Sequence, residues 1–133
     1  MTRILVAEDN VMIGMMITAD LRQAGYDVVG PFLRNAQALE AAATATPDLA
    51  LVDINLQGGD DGADLARALR DQHHVAALFV TGQSEQAEAA RDVALGVLVK
   101  PFRSDALLTA VEGGLRYARE GVRPSERPGY RWF

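Results

Sequence analysis

Arg3-Ile4-Leu5-Val6-Ala7-Glu8-Asp9-Asn10 decides how the rest of the chain is read. Residues 3–7 form a β-branched and aliphatic run, the pattern of a strand, and the run stops on two acids. From Asn10 the period changes. Ile13, Met16, Ile17, Leu21 and Ala24 fall at helical spacing, on one predicted inward face. Asn10 suits the N-cap and Gly25 the stop. A strand followed at once by a helix is half of a βαβ unit, and the pair recurs along the chain.

Asp27-Val28-Val29 reads as a second strand, ended by Gly30-Pro31, and residues 35–45 as a helix with Ala38, Leu39 and Ala42 inward. Thr46-Pro47 breaks that helix before a third strand at 48–52. A glycine-rich loop, 57–62, leads to a third helix carrying Leu65, Ala66 and Leu69. A fourth strand at 75–80, a weakly amphipathic helix at 85–94 and a fifth strand at 97–99 follow. The last helix runs from Ser104 to about Arg119, with Leu107, Leu108, Val111 and Leu115 inward. Five strands that read as unbroken apolar runs, alternating with helices, predict a parallel sheet covered on both faces. Right-handed crossovers leave few topologies. The expected fold is α/β, a flavodoxin-like (βα)5 doubly wound sheet of order 2-1-3-4-5, with its crevice beside strands 1 and 3.

Four of the runs end on polar residues: Glu8-Asp9, Asp53, Thr81 and Lys100. In a parallel sheet these meet at one edge, the edge where open α/β sheets bind ligands. Three clustered carboxylates repel one another unless a cation sits among them. A lysine beside them offers a second positive charge to an anion. The set points to a metal site that handles phosphate. Taken singly, each residue has a plainer reading: acids suit a helix N-terminus, Thr81 suits a turn and Lys100 a solvated surface. Their joint occurrence in order, each at a strand end, is what carries the reading.

Composition narrows the function classes. A chain of 133 residues fits one domain, with 1–120 expected as the folded unit and 121–133 as a C-terminal tail. The net charge of −5 argues against direct nucleic-acid binding. With no cysteine there are no disulfides, thiolate sites or cysteine nucleophiles. No apolar stretch approaches the ~18 residues of a membrane span, and the N-terminus lacks a signal-peptide layout, so a cytoplasmic protein is expected. Neither a Gly-x-x-x-x-Gly-Lys nor a Gly-x-Gly-x-x-Gly nucleotide loop is present. His73 and His74 lie far from any strand-end acid and take no metal role. Met12, Met15 and Met16 read as core or groove fillers.

Over about residues 2–119 the chain resembles the receiver domain of bacterial two-component response regulators, of which CheY is the type. The resemblance rests on Glu8-Asp9, Asp53, Thr81 and Lys100-Pro101-Phe102. It implies that Asp53 accepts a phosphoryl group from a sensor histidine kinase or histidine phosphotransfer protein. It assigns Mg²⁺ to Asp9, Asp53 and the backbone carbonyl of Asn55, with Glu8 acting through water. Lys100 and Thr81 then hold the phosphoryl oxygens, and the Lys100–Pro101 bond is expected to be cis. Such a protein is a switch for protein contacts with an unnamed downstream target. It is not an enzyme beyond its own phosphorylation and dephosphorylation, and it has the option of a homodimer through the fourth helix, fifth strand and fifth helix. The alternative is an interaction module of the same fold that is not phosphorylated. An aspartate-nucleophile phosphohydrolase is disfavoured, because Asn55 stands where such enzymes place a second aspartate.

The chain departs from the family's pattern at three points. Val97 occupies the position of the usual strand-5 aromatic, the interval from Thr81 to Lys100 is short, and Gln57 replaces a common proline in a longer loop. Leu78-Phe79-Val80-Thr81-Gly82 without that aromatic is similar to an atypical Phe-x-Thr-Gly subgroup of alphaproteobacteria, with ordering of 82–96 expected as its switch. In the family, the positions of Asn55 and Gln83 tune the phosphoryl lifetime. The tail's Gly129-Tyr130-Arg131-Trp132-Phe133 is expected to be disordered or weakly packed, the alternative being an aromatic anchor.

Overall fold

The four apolar runs lie side by side in a computed structural model that describes all residues 1–133. The strands are β1 (Arg3–Ala7), β2 (Asp27–Phe32), β3 (Leu49–Val52), β4 (Ala77–Thr81), β5 (Gly96–Val99) and β6 (Tyr130–Trp132). The helices are α1 (Val11–Gln23), α2 (Asn35–Ala45), α3 (Gly62–His73), α4 (Ser84–Ala89) and α5 (Ser104–Glu120). The sheet order is β2-β1-β3-β4-β5-β6. The first five strands are parallel in the expected order 2-1-3-4-5, and β6 adds an antiparallel edge on β5.

The unbroken apolar runs follow from this arrangement. Successive side chains of a strand face opposite ways, and both faces of this sheet are covered. Leu5, Ala7, Ala50, Val52 and Phe79 join α2, α3 and α4 residues in one core of 17 buried residues. Ile4, Val6, Leu49, Leu51, Leu78 and Val80 join α1 and α5 in a second core of 16. Capping follows the sequence signals. Asn10 Oδ1 accepts the Ile13 N–H at 3.0 Å, and Asp61 caps α3 by accepting the Ala63 N–H at 2.8 Å. His74 ends α3 with φ 55°, and its side chain is exposed.

Four expectations are corrected. β2 runs on through Gly30-Pro31 to Phe32, because a glycine at φ 113° and a register shift opposite Ala7 carry the strand past the proline. α4 is shorter than expected and ends at Ala89, with a separate turn at Arg91–Val93, because Ala87 is its only buried residue. Met12, Met15 and Met16 are exposed, as is Ala24. The buried face of α1 is Gly14, Ile17, Thr18 and Leu21, so the methionines form a second apolar face turned to solvent.

The tail is the fourth. Tyr130 and Trp132 are buried, and Trp132 sits in a slot floored by glycines. A Cβ on Gly96 would strike Arg131 backbone and the Trp132 ring; one on Gly113 would come within 3.0 Å of that ring. Tyr117 and Tyr130 meet the indole edge-on at 6.0 and 5.9 Å between ring centres. The outer rim of β6 is also occupied. Glu126 accepts the Trp132 N–H at 3.0 Å, Arg123 donates to the Trp132 carbonyl at 2.6 Å, and Tyr130 N–H donates to the Arg127 carbonyl at 3.2 Å.

Candidate functional site at the strand ends

Strand register builds the site. Ala7 lies opposite Val52 and Thr81 opposite Val99, so the residues that follow or end these strands leave the sheet at one level. Backbone bonds fix the exits: Glu8 N–H to the Phe32 carbonyl at 2.9 Å, Asp53 N–H to the Ala7 carbonyl and Lys100 N–H to the Thr81 carbonyl, both at 3.0 Å. Carboxylate oxygens of Glu8, Asp9 and Asp53 lie within 4.8 Å of one another. Glu8, Asp53 and Thr81 are buried, whereas Asp9 is exposed.

Lys100 spans the cluster. Its Nζ lies 2.8 Å from Asp53 Oδ2 and 2.5 Å from Glu8 Oε1. Burial holds the Glu8 carboxyl above its ordinary range, against the pull of the Lys100 and Asn10 donors. Burial also disfavours the Lys100 ammonium, but hydrogen bonds and charge from Asp53 and Glu8 outweigh it and raise its pKa overall. One ammonium against three carboxylates leaves an excess of about two negative charges. Oxygen donors at this spacing with that excess fit a hard divalent cation such as Mg²⁺. Glu8 has one oxygen bonded to the Asn10 N–H at 3.1 Å, and Asp9 is the exposed member of the cluster.

Two further residues complete the edge. Asn55 N–H donates to Asp53 Oδ1 at 3.3 Å, so the turn after β3 orients the carboxylate. Thr81 Oγ1 accepts the Gln83 N–H at 3.1 Å, so the hydroxyl is already engaged with the start of the α4 segment. The Lys100–Pro101 peptide is cis, as the resemblance implies. All of the strand-end residues singled out in the sequence therefore converge, and the histidines lie apart from them.

Sequence reasoning missed Gly62. A Cβ there would overlap the Asp53 backbone carbonyl, and the Gly62 N–H donates to Ile54 at 2.6 Å. Only glycine lets α3 start this close to the β3 exit. The signal was the third glycine of Gly58-Gly59-Asp60-Asp61-Gly62, read there only as loop composition. Asp60 fixes the same loop to α2. Its carboxylate pairs with Arg34 at 3.4 Å and accepts from the Asn35 N–H at 2.9 Å, and these donors, Arg34 foremost, hold it below the ordinary carboxylate range.

Comparison with known proteins agrees with this geometry. Residues 4–112 match the response regulator receiver domain family. The chain is 34% identical over 121 residues to the transcriptional regulatory protein PdtaR of Mycobacterium tuberculosis, covering 89% of this chain and 58% of that protein. It is 33% identical over 129 residues to the DNA-binding response regulator MtrA of the same organism, covering 93% and 54%. The chain thus spans little more than half the length of these relatives, both of them regulators. Among solved structures, the receiver domain of a modulated diguanylate cyclase from Desulfovibrio desulfuricans superposes with a TM-score of 0.81 at 30% identity, covering 90% of this chain and 98% of that one. A chemotaxis response regulator of Vibrio cholerae gives 0.75 at 28% identity, covering 84% and 97%. With this match along most of its length, and with the acid, hydroxyl and lysine set at the same sheet edge, the chain belongs to the response regulator receiver domain family.

Proposed function

We propose that the chain is a phosphorylation-switched receiver in which Asp53 takes a phosphoryl group from a histidine kinase or a histidine phosphotransfer protein. The observation that carries this reading is Lys100 Nζ, held 2.8 Å from Asp53 Oδ2 at the edge where three carboxylates gather. An Asp53 oxygen forms the new bond to phosphorus as the bond to the donor imidazole breaks, and the imidazole nitrogen keeps the electron pair. Asp9, Asp53, the Asn55 carbonyl and, through water, Glu8 are the residues that would hold Mg²⁺. The ion, when bound, neutralises charge that builds on the phosphoryl oxygens. Lys100 then leaves its carboxylate partner for the phosphoryl group, and Thr81 turns its hydroxyl toward the same group.

Several features support a protein donor. The larger cavities lie elsewhere; one of about 580 Å³ sits between β2 and α2. Beside the acids is instead an open apolar step of Ile13, Met16, Pro101 and Phe102, flanking Lys100. Val11, Met12, Met15 and Met16 extend it along α1, 58–74% exposed. An apolar face of this kind suits a helix of the donor protein. We assign residues 1–120 to the receiver unit and 121–133 to an appended segment, and place the chain in the atypical Phe-x-Thr-Gly subgroup on Val97 and the six-residue α4. A kinase-fed receiver works in the cytoplasm; no helix here is long and apolar enough to cross a membrane. A homodimer through the α4–β5–α5 face would seat on β6, which now lies over β5.

The test is incubation with Mg²⁺ and a small phosphodonor, followed by mass measurement. A single phosphoryl adduct that disappears in Asp53→Asn supports the reading. No adduct, together with no Mg²⁺-dependent binding of beryllium fluoride, favours the phosphorylation-independent interaction module.

A further inference from the structure

The way out of the site leads to the last strand. Thr81 Oγ1 accepts the Gln83 N–H at 3.1 Å, and α4 begins at the next residue. Only Ala87 of α4 is buried, so little apolar packing fixes this helix in place. Its far end reaches β6. Glu88 Oε2 lies 3.4 Å from Arg131 Nη2, and Glu88 Oε1 lies 3.0 Å from Arg91 Nη1. Arg91 in turn stacks its guanidinium 5.6 Å from the centre of the Phe133 ring. Between them, Val97 on β5 pairs with Arg131 on β6, so the strand that lacks the usual aromatic carries a second strand on its edge.

The two sides of β6 are held very differently. On the α5 side, Trp132 fills the slot at Gly96, Gly113 and Gly114, and Tyr117 donates its hydroxyl hydrogen to the Phe133 carbonyl at 2.6 Å. On the α4 side the ties are two polar contacts and the half-buried Phe133 ring, which rests against the core beneath α4, and the Arg131 and Glu88 side chains are 60% and 34% exposed. A partly exposed ion pair and a cation–π contact together bias an equilibrium by roughly five- to thirtyfold. That is the range in which a contact biases a switch without locking it.

We infer that β6 is the element through which the state of Asp53 leaves the domain. The inference rests on the phosphoacceptor role proposed above. A Thr81 hydroxyl that turns toward a phosphoryl group turns away from the Gln83 N–H. The start of α4 is then released and moves, the Glu88–Arg131 and Arg91–Phe133 contacts break, and residues 130–133 loosen on the β5 edge. β6 and α4 thus take the place of the relay for which Val97 has no aromatic ring.

The chain carries its own reporter, since Trp132 is its single tryptophan and is buried. Beryllium fluoride with Mg²⁺ is added to the full chain, and binding is recorded independently by fluorine NMR. The expected result is a red shift of tryptophan emission, stronger quenching by acrylamide, and at least ~5-fold faster amide exchange at residues 130–133. Binding with unchanged emission and unchanged exchange overturns the inference while leaving the phosphoacceptor reading intact. No binding overturns both, and the NMR record tells the two failures apart. Reciprocity supplies the second arm. Arg131→Ala and Arg91→Ala touch neither Asp53 nor the acids and remove the ion pair and the cation–π contact respectively, so each is expected to tighten beryllium fluoride binding several-fold, up to ~30-fold in the double variant. Unchanged affinity in both variants also overturns the inference.

Discussion

The β1–β3 end of the sheet and its β5–β6 edge are built on different principles. At β1 and β3, position comes from the backbone: register, strand exits and a glycine contact place Glu8, Asp9 and Asp53, and Lys100 ties two of them together. At β5 and β6, position comes from one large side chain in a slot, with weaker polar ties around it. The first arrangement suits chemistry, which needs atoms held still. The second suits signalling, which needs an element that can move at modest cost.

The comparison breaks most sharply at Trp132. Trp132→Ala is expected to cost about 3–5 kcal/mol, the usual range for truncating a buried tryptophan. Urea unfolding measures it, and a cost under ~1 kcal/mol would mean that β6 is not part of the folded unit. Lys100→Met comes next. Removing one partner leaves Glu8 and Asp53 facing each other, at a cost of about 2–4 kcal/mol without Mg²⁺, partly recovered when the ion is added. The same variant carries a pH signature. Because the Lys100 pKa is raised on folding, its contribution is fully present below the ordinary value of 10.5 and is lost as pH rises through the folded value. The stability gap between the parent and Lys100→Met should therefore narrow above pH 10.5 in thermal melts. A gap that widened there would contradict the pairing.

Gly62→Ala follows, at about 1–3 kcal/mol, because a new methyl must displace the β3 exit. It should also slow phosphoryl uptake at Asp53 in a timed phosphodonor assay, whereas Trp132→Ala, which frees β6, should not slow it. Equal slowing in both would erase the distinction between the two ends. The smallest stability effect belongs to Met15→Ser on the exposed face of α1, within about 0.5 kcal/mol. Its expected effect is on transfer from a protein donor, with uptake from a small phosphodonor unchanged.

The same division explains what the sequence revealed. Glu8, Asp9, Asp53, Thr81 and Lys100 were legible because each ends an apolar run, and parallel strands bring such ends together without further information. The order of β1 to β5 followed from continuous apolar runs alternating with helices. β6 was not legible, since three residues between prolines and a chain end carry no strand period. Its signal is distributed over Gly96, Gly113 and Gly114, which acquire meaning only when Trp132 is seen above them. The α1 methionines misled for a related reason. Helical periodicity finds apolar faces, but it does not say which of two such faces meets the sheet. Gly14 and Thr18, small and weakly apolar, mark the true inner face of α1 alongside Ile17 and Leu21.

The outer rim of β6 has a consequence for how the chain behaves when concentrated. An uncovered strand is a template on which a neighbouring sheet can grow, and natural proteins blunt such rims. Here Glu126 and Arg123 occupy the Trp132 N–H and carbonyl, and the Arg127 carbonyl takes the Tyr130 N–H. The loop between α5 and β6 thus acts as a guard against fibre-like stacking. Exchanging Arg123 and Glu126 for alanine would leave the strand-end cluster untouched and turn this rim into a seed for self-association.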